Sequence, residues 1–223
     1  MKLDRLDSQN QGELIQRTLV LCEGKRDASF VLHLAEQRGL KGIQVGFPDR
    51  VTSNTYGKNG FRDYLINLRV RSGFSNLRHI VILRDCDENA GEAFRHVVKQ
   101  VSEAGRYDVP TALEQETVGT PGITVRLIPD SATNGNLDVL LLGSIDANHA
   151  LARCFDAYFE CCRLDETNVG AAAKIRLTTI VAASCRANPS CSLVWVWGEA
   201  GNPIPLNSSN FDSLADFLRR FEN

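Results

Sequence analysis

Two apolar runs that each stop at acidic residues constrain this chain more than any other feature. Thr18-Leu19-Val20-Leu21-Cys22 runs into Glu23, and His79-Ile80-Val81-Ile82-Leu83 runs through Arg84 into Asp85 and Asp87. Runs of this length and composition read as buried strands. As parallel members of one open sheet, their carboxyl ends would line the crevice in which such sheets bind ligands. Glu23, Asp27, Asp85 and Asp87 would then meet, and four carboxylates repel one another unless a cation neutralises them. Oxygen-only ligands favour hard divalent ions, Mg²⁺ or Mn²⁺, which commonly act on phosphates.

Helical patterns separate the apolar runs. A turn at Gly24 leads into a helix over about 27–38, with Phe30, Val31 and Leu34 on one face and Gly39 closing it; Ile43 to Phe47 follows as a strand. A Ser/Thr/Asn/Gly-rich loop spans Pro48 to Asn59, where Gly57-Lys58-Asn59-Gly60 lacks the full pattern of a nucleotide-triphosphate loop. Helices over 61–69 and after Gly91 flank the His79 strand, and Ile123 to Ile128 makes the next one. Strands alternating with helices predict an α/β fold: a Rossmann-like, mainly parallel sheet flanked by helices, with a C-terminal helical extension. The organisation is an amino-terminal segment over 1–16, an α/β core over 17–145 and a helical extension over 146–223 packed on the core. That extension holds helices over 147–162, 170–187 and 211–221, while Ser192 to Trp197 fits strand or helix.

Composition bounds the setting. With 223 residues, 43% of them hydrophobic, the chain can build one sizeable core. The charged amino end, Met1 to Asp7, lacks an apolar signal-peptide centre, and no apolar stretch is long enough to span a bilayer. A soluble, cytoplasmic protein with no membrane partner is expected. The seven cysteines are scattered through strand-like and helical stretches, which argues for reduced, mostly buried thiols and against a disulfide framework; Cys161, Cys162 and His149 offer no zinc spacing. His33, His79, His96 and His149 lie among apolar neighbours and read as ordinary histidines. The net charge of -2 gives no global pull on nucleic acid, yet Lys58, Arg62, Arg69, Arg71, Arg78 and Arg84 stand against the single acid Asp63 between positions 58 and 84. They read either as a solvated helix face or as a basic surface beside the crevice. On the second reading Lys25, Lys58, Arg62, Arg69 and Arg71 are candidate nucleic-acid contacts.

In an extended strand Asp85 and Asp87 would point to one side and Cys86 to the other, a geometry suited to sharing one cation or bridging two. Gly24 would let the backbone approach a ligand closely. Asp27 falls in the first helical turn, where it either faces the crevice or complements the helix dipole.

These residues resemble the TOPRIM domain of topoisomerases, primases, recombination proteins and some nucleases. Glu23-Gly24-Lys25-x-Asp27 is similar to the form found in OLD-type nucleases and in small stand-alone TOPRIM proteins, and Gly135-Asn136-Leu137-Asp138-Val139-Leu140-Leu141 resembles their Gly-x-Leu-Glu-x-Leu-Leu segment, with Asp138 where glutamate is usual. The resemblance implies one or two Mg²⁺ ions on the acidic cluster, with Glu23 as general acid/base or ligand, Asp85 and Asp87 as ligands, and Asp27 and Asp138 completing a second position. It also implies a catalytic lysine from a later helix. Lys174 is the candidate: it falls in line with Leu177, Thr178 and Val181, where it either faces the acidic crevice or snorkels at the helix edge. The expected function is a metal-dependent nuclease on DNA or RNA phosphodiesters, in processing, repair or phage defence. The alternatives are a non-catalytic module that regulates a partner protein such as an ATPase, and a small-molecule phosphohydrolase.

Overall fold

Each strong apolar run becomes a strand and each strong helical pattern a helix in the computed structural model, which describes residues 13–49, 55–145, 150–163 and 167–222. The order is β1 (Thr18–Leu21), α1 (Lys25–Gln37), β2 (Ile43–Gly46), α2 (Phe61–Leu68), β3 (His79–Asp85), α3 (Ala90–Ala104), β4 (Gly122–Ile128), α4 (Leu137–Leu142), α5 (Ala150–Cys162), α6 (Val169–Ser184) and α7 (Asp212–Arg219). The strands pair in parallel as β2-β1-β3-β4. The chain leaves β1 toward one side for β2 and then crosses to the other side for β3. The order therefore reverses between β1 and β3, and that is where open α/β sheets form their crevice.

Both faces of the sheet are covered, which explains why the strands are apolar at successive positions. Leu19 and Leu21 of β1, Ile80 and Ile82 of β3, and Ile123 and Val125 of β4 pack against Phe61, Tyr64, Leu65 and Leu68 of α2 and Val97 and Val101 of α3. The alternate residues, Val20, Cys22, Val81, Leu83 and Ile128, meet α1, α4, α6 and α7 on the opposite face. The C-terminal helices thus share the core of the sheet. Phe30 of α1 lies between Phe211 and Trp197, with ring centroids 5.2 and 5.8 Å away. The hydroxyl of Thr18, at the start of β1, donates to the Phe221 carbonyl at 2.8 Å.

Two local expectations change. Ser192 to Trp197 is neither strand nor α-helix; it turns tightly, ending in a single 3-10 turn at Val196–Gly198. The cause is tertiary: Ser29 of α1 donates to the Val194 carbonyl at 2.7 Å and accepts from the Trp197 indole at 3.1 Å. The thiols are less buried than expected, for Cys154, Cys161 and Cys162 are exposed on α5 while Cys22, Cys86 and Cys185 are buried. Residues 1–12, loop positions 50–54, the expected helix start at 147–149 and His149 lie outside the described residues. No helix among the described residues is long and apolar enough to cross a membrane.

Because Phe30 is fully buried between two aromatic rings contributed by the last thirty or so residues, Phe30→Ala is expected to cost about 3–5 kcal/mol. Urea denaturation would read this as a lower midpoint with an unchanged slope, and a loss below about 1 kcal/mol would show that the C-terminal helices do not share this core.

Candidate functional site

Glu23 follows β1 directly and Asp85 ends β3, so the parallel register brings the two to the same end of the sheet. Asp27 is the third residue of α1, and its carboxylate turns back to accept the Gly24 N–H at 3.1 Å. That contact satisfies one of the free donors at the helix start, so Asp27 has the structural role as well as the crevice position. Asp85 accepts the N–H of Leu137, the first residue of α4, at 3.1 Å. This link draws the Gly135-Asn136-Leu137-Asp138 segment onto the end of β3.

Asp87 leaves the line of the strand. Its φ is 53°, a left-handed conformation that aspartate tolerates better than most residues, and it exchanges two 2.7 Å backbone hydrogen bonds with Gly135. Gly135 has φ 135°, and a Cβ there would stand 2.7 Å from Val139. The turn redirects the two side chains, so Asp85 and Asp87 do not share one face as extended geometry predicts. Asp85 goes to α4. Asp87 accepts from Arg84 at 2.8 Å and from Lys58 at 3.1 Å. Gly24 also departs from expectation: its φ of -148° is open to any residue, and a Cβ would meet only the Asp27 carboxylate at 3.3 Å.

Arg84 organises the charge. It is buried, donates to Glu23 at 2.7 Å, to Asp87 at 2.8 Å and to the Asp85 carbonyl at 2.7 Å, and its Nε has no hydrogen-bond partner. Sequence reasoning counted it only among surface cations. A charge inside a strand apolar on both faces was the available signal, because arginine is almost never buried without partners. Arg26, likewise unforeseen, forms a short ion pair with the buried Asp138.

The carboxylates divide into two kinds. Glu23, Asp27 and Asp85 are partly buried and crowd one another. Loss of hydration, reinforced by Glu23, pushes Asp27 up to about 6. Asp85 rises well above the usual carboxylate range, through burial first and then the charges of Asp27 and Glu23. Glu23 also rises through burial, against the pull of Arg84. For Asp87 burial is outweighed by Arg84 and Lys58, which hold its carboxyl below the usual range. A cavity of about 680 Å³ adjoins this cluster, lined by Lys58, Arg84, Asp87 and His96 and by the asparagines that cap α3, α4 and α6.

The donor set at Glu23, Asp27 and Asp85 is all oxygen, which suits a hard cation, and Glu23 is the member that pairs with Arg84. Among the described residues, no group of three or more His, Cys, Asp or Glu side chains is set to hold a metal ion.

Of the expected basic contacts, Lys25 and Arg62 lie at the crevice end, at the starts of α1 and α2, and Lys58 lies in the 3-10 turn Gly57–Asn59 just ahead of α2. Arg62 is committed to the neighbouring Asp63 at 2.8 Å. Arg69 and Arg71 follow α2 at the opposite end of the sheet. Arg69 donates to the Gly105 carbonyl and stacks over Tyr107, Arg71 lies over Tyr64, and Ser72 receives the N–H of Leu14 ahead of β1. The basic stretch is therefore split by the length of α2 and makes no continuous surface beside the acids. Lys174 is exposed on α6, whose buried side is Ala172, Ala173, Leu177, Ile180 and Val181, and it makes no ion pair with the acidic cluster among the described residues. Its spacing matches the apolar line, but its position at the edge leaves it in solvent.

Compared with known proteins, residues 17–223 match a family model described as protein of unknown function (DUF3226). No curated protein and no solved structure matches the chain significantly.

The Asp27 shift has a stability consequence. Folding raises its pKa from an ordinary 3.8 to about 6, so between those values the folded protein holds a proton that the unfolded chain has released. Its contribution therefore becomes less favourable as pH rises through this window and stays so above it. In EDTA, Asp27→Asn is expected to raise stability near pH 7 by about 1–3 kcal/mol and to flatten the decline between about pH 4 and about pH 6. Thermal melts across that range check this; a variant less stable at neutral pH would mean that the Gly24 contact outweighs the repulsion.

Proposed function

The chain belongs to the DUF3226 family, whose description assigns no activity, and we propose that it is a TOPRIM-type, divalent-metal-dependent phosphodiesterase acting on DNA or RNA. The observation that carries this reading is the crowding of Glu23, Asp27 and Asp85, partly stripped of water at the switch point of a parallel sheet. These three residues, which the structure does not already arrange as a ligand set, would close on Mg²⁺ or Mn²⁺ and hold it; the bound ion would polarise a phosphodiester oxygen and acidify a water. Glu23, which Arg84 holds at 2.7 Å until an ion takes the place of the guanidinium, would accept the proton of the attacking water. Lys58 and Arg84, both lining the adjoining cavity, would stabilise the charge that builds on the phosphate oxygens. Lys25 stands at the same end for contact with the strand. Lys174, Arg69 and Arg71 have no part in this arrangement. The free thiols suit a reducing, cytoplasmic compartment, and repair, processing or phage defence would be the setting.

One observation favours a second reading, a non-catalytic module that docks a partner such as an ATPase. Arg84 already balances Glu23 and Asp87, and Arg26 balances Asp138, so much of the acidic charge is neutralised by the chain itself.

Labelled single- and double-stranded DNA and RNA, incubated with Mg²⁺ or Mn²⁺, separate the two. Metal-dependent cutting that falls by about 10²–10⁴-fold in Glu23→Gln, and is abolished in Asp85→Asn, is the expected result. No cutting by the wild type, together with no rise in melting temperature on adding Mg²⁺, would establish the module instead.

A further inference from the structure

Trp195 is the half-exposed indole of an otherwise anchored turn. Its neighbours Val194 and Val196 are buried, Ser29 of α1 receives and donates hydrogen bonds on either side of it, and its backbone N–H donates to the Ser192 carbonyl at 2.9 Å. The backbone below the ring is thus fixed, while 51% of the residue remains accessible. The ammonium of Lys25 lies 5.5 Å from the ring centroid, and no other ring packs on Trp195 among the described residues. Lys25 opens α1, two residues after Glu23. The indole therefore stands within one lysine side chain of the acidic cluster, at the same end of the sheet.

We propose that Trp195 and Lys25 form a stacking clamp for an unpaired nucleobase, which makes single-stranded nucleic acid the substrate class of the adjoining site. The clamp deepens the nuclease reading and rests on it. A solvated aromatic held by tertiary contacts offers a base a flat partner at small entropic cost, and Lys25 beside it supplies charge for the neighbouring phosphate. In a duplex the bases are stacked on one another and present no face to an indole, so the clamp selects strands that are open. A peptide partner would be served less well, because Trp195 is a lone aromatic beside a cation and an acidic crevice rather than part of an apolar groove.

Binding is read apart from cleavage, with Ca²⁺ as a hard cation suited to the same oxygen donors. The probe is a fluorescein-labelled oligothymidylate, compared with a labelled duplex. Addition of unlabelled oligothymidylate is expected to quench tryptophan emission in the wild type and in Trp197→Phe, and to leave the emission of Trp195→Phe unchanged. Anisotropy is expected to show roughly tenfold weaker binding of the single strand by Trp195→Ala, the size of one lost base–aromatic stack, with Trp195→Phe near wild type and duplex affinity unmoved. Equal single-strand affinity in wild type and Trp195→Ala, or absence of quenching, overturns the clamp. Quenching and tenfold loss without metal-dependent cutting would leave the clamp standing and remove the nuclease reading; cutting of single strands by Trp195→Ala at the wild-type rate and affinity would do the reverse.

Discussion

Carboxylates held out of water beside one another set the terms for the rest of this molecule. Glu23, Asp27 and Asp85 each come from a different piece of backbone, and each is pushed toward the protonated form by burial and by its neighbours. Such crowding works against the folded state at neutral pH, so the scaffold beneath must be stable without it. The sheet meets that need by burying both faces, with α2 and α3 on one side and α1, α4, α6 and α7 on the other. Each large apolar side chain so enclosed contributes about 1.5–3 kcal/mol relative to exposure. The helices after β4 are therefore part of what makes the acidic crevice affordable.

The strand order then decides where the charge collects. Reversal between β1 and β3 leaves a gap at their carboxyl ends, and both strands deliver acids into it. Two further contacts bring the remaining pieces to that place. Asp85 receives the first N–H of α4, and Asp87 trades backbone hydrogen bonds with Gly135 across a turn that only a residue without a Cβ fills comfortably. The acid positions and the start of α4 are in this way one local structure rather than separate motifs.

Much of this was legible in the chain. Strands at 18–22 and 79–83 show as apolar runs and those at 43–47 and 123–128 as apolar residues at alternate positions, and their alternation with helical patterns points to a parallel sheet. Glu23, Asp27 and Asp85 followed because strand ends in such a sheet converge. What escaped was decided by tertiary contact. The direction of Asp87 depends on Gly135, nearly fifty residues away; the turn at 192–197 depends on Ser29; and the resemblance together with helical periodicity points Lys174 inward, whereas the side of α6 that faces the core leaves it in solvent. Arg69 and Arg71 were grouped with Lys58 by nearness in sequence, whereas a helix that runs antiparallel to the strands carries them to the far end of the sheet.

Arg84 connects the acidic cluster to the cavity beside it and limits how a cation could enter. Leaving a buried guanidinium without partners costs about 3–5 kcal/mol, so an ion that simply displaced Arg84 from all its acids would be working against a large penalty. Arg84 has more than one acceptor, however: Asp87 and the Asp85 carbonyl remain when Glu23 turns away. Lys58 holds Asp87 from the other side and keeps that acceptor in place. Glu23 is accordingly the carboxylate free to change partners, from the guanidinium to an ion shared with Asp27 and Asp85, while Asp87 stays with the basic side chains. The division between raised and lowered carboxylates matches that assignment, for the three acids that burial pushes toward the protonated form are the ones a cation would relieve, and the fourth is already served.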